Sequence, residues 1–285
     1  MEIVKPKILI SGASGFTGMN LIRRLNSQRF DLVVLKRPSN IDYLKTLPKV
    51  SELDIENPYQ LTNFLRTNEL YSVIHLATIY NREESPQQKN DIWSANFDLG
   101  RKLLDIAVSA HAQFIHIESY LQFEDVHQTE YLKSKVAFSE IVNLEREKGK
   151  IPIESLVFFD NYGRQDSRNK VLNALIASRI HGKALRLLNP NAPIILTSIE
   201  DVVSAILISL NVKNSGRFRV NGKDKFLIKD ISDFVSGFPN SIPPTPIERK
   251  LFKAEDIDPL KHFVQKMDLI QFLKSELSHE PGNQS

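Results

Sequence analysis

Three glycines at fixed spacing, close behind a short apolar run, constrain this chain more than any other feature. Lys7-Ile8-Leu9-Ile10 carries three apolar residues in a row, the pattern of a strand buried on both faces. Ser11-Gly12-Ala13-Ser14-Gly15-Phe16-Thr17-Gly18 follows, and then Leu21, Ile22 and Leu25 recur at helical spacing. Strand, glycine-rich turn and helix in that order predict a phosphate cradle. Gly12 permits the tight turn, Gly15 lets a diphosphate approach the backbone, and Gly18 lets helix and strand pack closely. The helix start then offers N–H groups and a positive dipole end to the phosphates. Ser14, Phe16 and Thr17 complete the turn. The spacing is Gly-x-x-Gly-x-x-Gly, not the commoner Gly-x-Gly-x-x-Gly.

The alternation continues. Leu32-Val33-Val34-Leu35 reads as a second strand, and Lys36 and Arg37 stand at its C-terminal end, where a dinucleotide's adenosine ribose would lie. An NAD site usually places a carboxylate there. An ammonium and a guanidinium suit a 2′-phosphate instead, so the sequence predicts NADP(H). Ser51–Ile55 reads as a third strand, with Asp54 set to meet an adenine amino group. A helix over Pro58–Leu65 turns Leu61, Phe64 and Leu65 inward. Val73–Thr78 reads as the fourth strand. His75 is a packed histidine, because no second ligand is spaced for a metal. Small Ala77 leaves room for a cofactor. Ile92–Ala110 is helical by pattern, with Leu99, Leu103, Ile106 and Ala107 on one face and Asn96 early in it. Phe114–Ile117 is the fifth strand, with Ser119 just beyond it, at the edge where open α/β sheets bind ligands.

Tyr131 and Lys135 stand four residues apart in the helical stretch that follows. On a helix they lie one turn apart on one face. An ammonium there favours the phenolate and lowers the tyrosine pKa. Such a tyrosine can give a proton to a carbonyl or take one from an alcohol. Ser119, twelve residues upstream, can hold the same oxygen.

The residue balance narrows the partners. The 285 residues carry 37 basic and 34 acidic side chains and no cysteine. No long basic run suggests a nucleic-acid groove. Without cysteine there are no disulfides, thiolate metal sites or cysteine nucleophile, which suits a reducing, cytoplasmic setting. The start, Met1-Glu2-Ile3-Val4-Lys5-Pro6, lacks a signal-peptide apolar core, and no apolar run approaches bilayer length. A membrane partner is not expected.

The strand–Gly12-x-x-Gly15-x-x-Gly18–helix unit, Val73-Ile74-His75-Leu76-Ala77, Ser119 and Tyr131-x-x-Ser134-Lys135 occur in that order. Together they resemble the extended short-chain dehydrogenase/reductase family, the nucleotide-sugar epimerases, dehydratases and reductases, over about residues 7 to 210. The resemblance implies a doubly wound parallel α/β sheet (Rossmann) with a smaller C-terminal lobe for the nucleotide sugar. Residues 1–165 would hold the cofactor, with the strand and helix of 194–212 returning to them, and 166–285 would mainly hold the substrate. The family's catalytic serine, tyrosine and lysine fall on Ser119, Tyr131 and Lys135. Its diphosphate turn falls on Gly12, Gly15, Phe16, Thr17 and Gly18, its adenine contacts on Asp54 and Ile55, and its cofactor-lining strand on Leu76, Ala77 and Thr78, the last also near substrate.

The departures carry information too. Gln122, Phe123 and Glu124 replace the usual Val-Tyr-Gly after the serine, and Val157 and Asp160-Asn161-Tyr162-Gly163 replace Arg-x-x-Asn-Val-Tyr-Gly. With Asp166-Ser167-Arg168-Asn169-Lys170, these are similar to the CDP-paratose and CDP-abequose synthases, NADPH-dependent reductases of a CDP-4-keto-3,6-dideoxy sugar. Asp160, Asn161, Arg168 and Lys170 are then expected at the substrate, the two cations near its diphosphate. An epimerase or dehydratase on the same scaffold, and a non-catalytic NADP sensor, are the competing readings, and a homodimer stays open. In the second half, Leu185–Leu188 and Ile194–Leu196 predict two strands joined by a turn. Phe218–Val220 and Phe226–Ile228 predict a strand pair around Gly222. Ser198 with Asp201 resembles a capping box, and Leu260–Leu277 predicts one or two helices.

Overall fold

The computed structural model describes residues 5–25, 29–35, 50–80, 85–126, 129–220 and 222–278. Lys36 and Arg37 lie outside them, as do residues 1–4. The strands are β1 (Lys7–Ser11), β2 (Asp31–Leu35), β3 (Val50–Leu53), β4 (Leu70–His75), β5 (Gln113–Ser119), β6 (Ile153–Phe158), β7 (Asp160–Tyr162), β8 (Pro193–Ser198), β9 (Gly216–Val220) and β10 (Asp224–Leu227). Seven form one sheet in the order β3-β2-β1-β4-β5-β6-β9, and every pairing in it is parallel. Reversal of the strand order beside β1 makes the sheet doubly wound, with its ligand crevice at the C-terminal strand ends. A three-stranded sheet, β10-β8-β7, lies beyond it.

Helices flank both sheets. They are α1 (Phe16–Arg24), α2 (Pro58–Thr67), α3 (Pro86–Trp93), α4 (Leu99–Ser109), α5 (Glu130–Glu147), α6 (Val171–His181), α7 (Ile199–Val212), α8 (Ile228–Gly237) and α9 (Leu269–Ser278). The period of a strand explains the two cores. Ile8 and Ile10 face α1 and α7, packing with Leu21, Val202 and Ile206. Leu9, between them, faces the other side with Leu103, Phe114, Phe138 and Val142. A third core, with Tyr162, Leu196, Phe226, Phe234 and Leu273, joins the small sheet to α6, α8 and α9.

Several expectations change. Leu185–Leu188 forms no strand, and Leu188 is 90% exposed. The 193–198 strand joins the small sheet, antiparallel to β10 and parallel to β7, while the helix after it, α7, packs against the large one. The expected hairpin around Gly222 is not a pair. β9 adds to β6 in the large sheet and β10 to β8 in the small one, so the short link carries the chain between sheets. Residues 260–277 hold one helix, α9, preceded by irregular chain. The 92–110 helix starts earlier, at Pro86, where Ser85 and Gln88 form a capping box. A π-helical turn, Ser94–Asp98, then joins α3 to α4. Among the described residues, no helix is long and apolar enough to cross a membrane.

Candidate active site

The glycine turn sits where β1 hands over to α1. Gly12 has a φ of 70°, and a Cβ on it would stand 2.6 Å from the Ala77 nitrogen. A Cβ on Gly18 would stand 2.1 Å from the Gly12 carbonyl oxygen. Both must be glycine for β1, α1 and the end of β4 to close together. The Gly15 N–H donates to Gly12 O at 3.0 Å. No side chain caps α1, and its first turn carries no acid. Its leading N–H groups and dipole therefore suit an anion, so the residues present fit a dinucleotide's diphosphate. Leu76, Ala77 and Thr78 lie just past β4, not within it. Asp54 follows β3 and accepts from the Glu56 N–H at 3.1 Å, a local turn; Ile55 packs against the second core.

Ser119 ends β5, and Tyr131 opens α5. A 3₁₀ turn over Tyr120–Phe123 and a short loop fold the chain back between them. Ser119 acts on the Tyr131 phenol, favouring its ionised form, and the Ser119 Oγ accepts from the Leu121 N–H at 3.3 Å. Gln122 fixes the serine by accepting from its N–H at 2.8 Å. Thr129 caps α5 through the Leu132 N–H, and Trp93 Nε1 donates to Glu130 at 2.9 Å. Lys135, one turn along, is buried and donates from Nζ to the Ile117 carbonyl at 2.5 Å.

The electrostatics correct one expectation. Burial pushes the Tyr131 phenol up to about 12, and Ser119 only partly opposes it. Burial also lowers Lys135 to about 8, with Glu118 opposing. The tyrosine is therefore not lowered by its lysine neighbour. The ammonium is turned to the β5 backbone, and the neighbouring Tyr80 and Asp160 add to the rise in Tyr131. The Tyr80 ring meets that of Tyr131 edge-on at 5.0 Å.

Asp160 and Asn161, on β7, lie on the same rim. Asp160 accepts from Lys170 Nζ at 3.1 Å and from the Tyr120 hydroxyl at 3.4 Å. Arg168 is engaged as well: it donates to both Asp166 oxygens at 2.7 Å and to Asn161 Oδ1 at 2.6 Å. Its guanidinium lies 4.2 Å from the Phe16 ring centre, a cation–π contact reaching the glycine turn. Neither cation stands free to take a diphosphate; each already has a carboxylate partner.

Asn96 was legible only as one polar residue on an apolar helix. The π turn buries it, and its amide oxygen accepts from Thr78 Oγ1 at 3.1 Å and the Ile79 N–H at 2.8 Å. Its amide nitrogen donates to Ile79 O at 3.0 Å and to Ser134 Oγ at 3.2 Å. One side chain thus ties the segment past β4 to the Tyr131 helix. The Thr78 hydroxyl points at Asn96.

The profile of the NAD dependent epimerase/dehydratase family matches residues 8–221, from β1 through β9. The chain belongs to that family. Within it, two CDP-abequose synthases are similar in sequence. That of Salmonella typhimurium is 28% identical over 62% of this chain and 60% of its own length. That of Salmonella muenchen is 25% identical over 76% of this chain and 74% of its own. The chain thus spans under two thirds of the first relative. The fold is also that of UDP-glucuronic acid 4-epimerase from Bacillus cereus, solved with UDP-glucuronic acid and NAD: TM-score 0.77, 20% identity, 95% of this chain and 98% of that one.

Proposed function

We propose that this member of the family is an NADPH-dependent reductase of a nucleotide-activated 4-keto-deoxyhexose, most consistent with a CDP-linked 4-keto-3,6-dideoxyglucose in surface-polysaccharide sugar synthesis. The observation that carries it is the placement of Ser119 at the C-terminal end of β5 and of Tyr131 at the start of α5, with Lys135 one helical turn on and bonded to the Ile117 carbonyl of the same strand. A bound NADPH supplies a hydride to the carbonyl carbon. Ser119 holds the carbonyl oxygen, and Tyr131 gives it the proton. The rise of Tyr131 to about 12 suits this direction, because the phenol meets the substrate still protonated. Lys135, as an ammonium, offsets the charge that Tyr131 acquires. The glycine turn takes the diphosphate of the dinucleotide, and Lys36 and Arg37, by their sequence position, favour the 2′-phosphate form. Asp160, Asn161, Arg168 and Lys170 line the substrate side, each cation dividing its hydrogen bonds between its carboxylate partner and the sugar nucleotide's diphosphate.

The similarity to CDP-abequose synthases supports the reductase over a 4-epimerase on the same scaffold. The comparison of kcat/KM with NADPH and NADH, over a small panel of NDP-4-keto sugars, tests it. NADPH and a CDP-linked sugar should be preferred; a preference for NADH removes the cofactor assignment.

A further inference from the structure

Below Tyr131 and Lys135, a polar strip runs along the inner face of α5 beside the core residues Phe138 and Val142. Ser139 follows Lys135 by one turn, and Asn143 and Arg146 come next. Beneath them, β5 buries two ionisable residues, His116 and Glu118. Arg217 of β9 reaches past β6 to the Glu118 carboxylate, with Nε at 2.6 Å from one oxygen and Nη2 at 3.1 Å from the other. The Ser139 hydroxyl donates to that carboxylate and accepts from Arg217 at 2.8 Å. Asn143 also accepts from Arg217, at 3.3 Å.

Burying such a pair is poor value for stability, since apolar residues of similar volume usually hold a fold as well or better. Its position suggests another role. Glu118 immediately precedes Ser119 in the chain, and the Lys135 ammonium donates to the carbonyl of Ile117, the residue before Glu118. Strand alternation turns the Glu118 side chain to the face opposite Ser119, under α5, so it cannot act as an acid on substrate.

We propose that Glu118, clamped by Arg217 and Ser139, is a positioning residue for Lys135: it supplies the buried negative charge that keeps the lysine an ammonium. The role matters to turnover only if Lys135 acts as proposed above, but the charge relation itself does not depend on that reading. The groups around Lys135 leave Glu118 this part. From β5 it is faced by Glu118 and by His116, which burial lowers to about 4 and so keeps neutral near pH 7. Its own helix contributes Tyr131 and, lower down, Arg146. β9 contributes Arg217, already paired. The π turn contributes the neutral Asn96 through Ser134, and the 3₁₀ turn contributes Tyr120. Burial lowers Lys135, and Glu118 is the group that opposes it.

The test is the pH midpoint of the Lys135 side chain, read by NMR on protein carrying isotope-labelled lysine and assigned with Lys135→Arg. It needs no substrate. In Glu118→Gln the midpoint should fall by about one pH unit, the shift expected for losing a near opposite charge. The alkaline limb of the kcat profile should move with it. As a second variant, Arg217→Met keeps the Glu118 carboxylate and removes the cation that offsets it, so the Lys135 midpoint should rise. Glu154→Gln, which alters another buried carboxylate, bonded to Ser209, should lower Tm and leave the midpoint in place. An unchanged midpoint in a folded Glu118 variant overturns the proposal. Undiminished turnover in Tyr131→Phe would overturn the reductase reading instead, and leave this measurement standing.

Discussion

Tyr131 keeps its proton near neutral pH, because burial outweighs the help it receives from Ser119, and the proposed role as proton donor needs that form. Replacing it with Phe removes the proton donor and keeps the packing against Tyr80. Turnover should fall roughly a hundredfold or more, while dinucleotide binding, followed by nicotinamide fluorescence, stays near wild type. Near-normal turnover would contradict the role. His116 makes a different prediction. Both its ring nitrogens lack a hydrogen-bond partner, and Glu118 stands 3.6 Å away, too far to supply one. Burial holds the folded-state pKa at about 4, whereas an unfolded histidine titrates near 6.5. Between those values the unfolded chain binds the extra proton. Stability therefore falls as pH drops from about 6.5 to about 4, by on the order of 3 kcal/mol from this group. Phe at position 116 would remove both orphan nitrogens among aromatic neighbours. Urea unfolding at several pH values should show a flatter acid limb in His116→Phe; an equal slope in both proteins would refute the assignment.

At the scale of elements, the turn between β1 and α1 was readable because only glycine satisfies it. Gly18→Ala would drive a methyl into the Gly12 carbonyl. The rise in Tm that a dinucleotide gives the wild type should be lost in that variant, and its survival would mean the turn is not the diphosphate site. Parallel strands were readable for a related reason: Ile8, Leu9 and Ile10 are apolar on both faces. What stayed hidden depends on distant partners. Glu118 reads as one charge in an apolar run until Arg217 arrives from β9, 99 residues on. Asn96 gains its role from a π turn, which no helical period marks. The second sheet failed to show because β8 and β10 pair across intervening helix and strand. Asn96→Ala would leave the Ile79 N–H and carbonyl without their partner, at a cost of about 1–3 kcal/mol. Tm should drop, and amide exchange should rise around 77–80 before it rises in α4.

For the molecule as a whole, the chain's last helix is tied to the small sheet and α7 by two buried carboxylates. Asp201 accepts from the N–H groups of Lys266 and Met267, each at 3.0 Å, and Asp224 from that of Leu269 at 3.1 Å. The sequence offers Asp201 as half of a capping box; Ser198 does cap α7 through the Asp201 N–H and donates to its carboxylate at 3.0 Å, and that carboxylate also holds the distant segment. Asp201→Ala should therefore raise hydrogen exchange over 265–278 more than over α7, and the opposite pattern would reject the tie. With the glycine turn, the Ser119–Tyr131–Lys135 group and the Asp160 rim all at one edge of the large sheet, a single stoichiometry probes the proposed chemistry. The purified protein is mixed with NADPH and CDP-4-keto-3,6-dideoxyglucose, and oxidised nicotinamide and reduced sugar are counted. The reductase account requires one NADPH consumed for each new hydroxyl. A changed sugar with no net consumption of NADPH would contradict it and point to an epimerase or dehydratase.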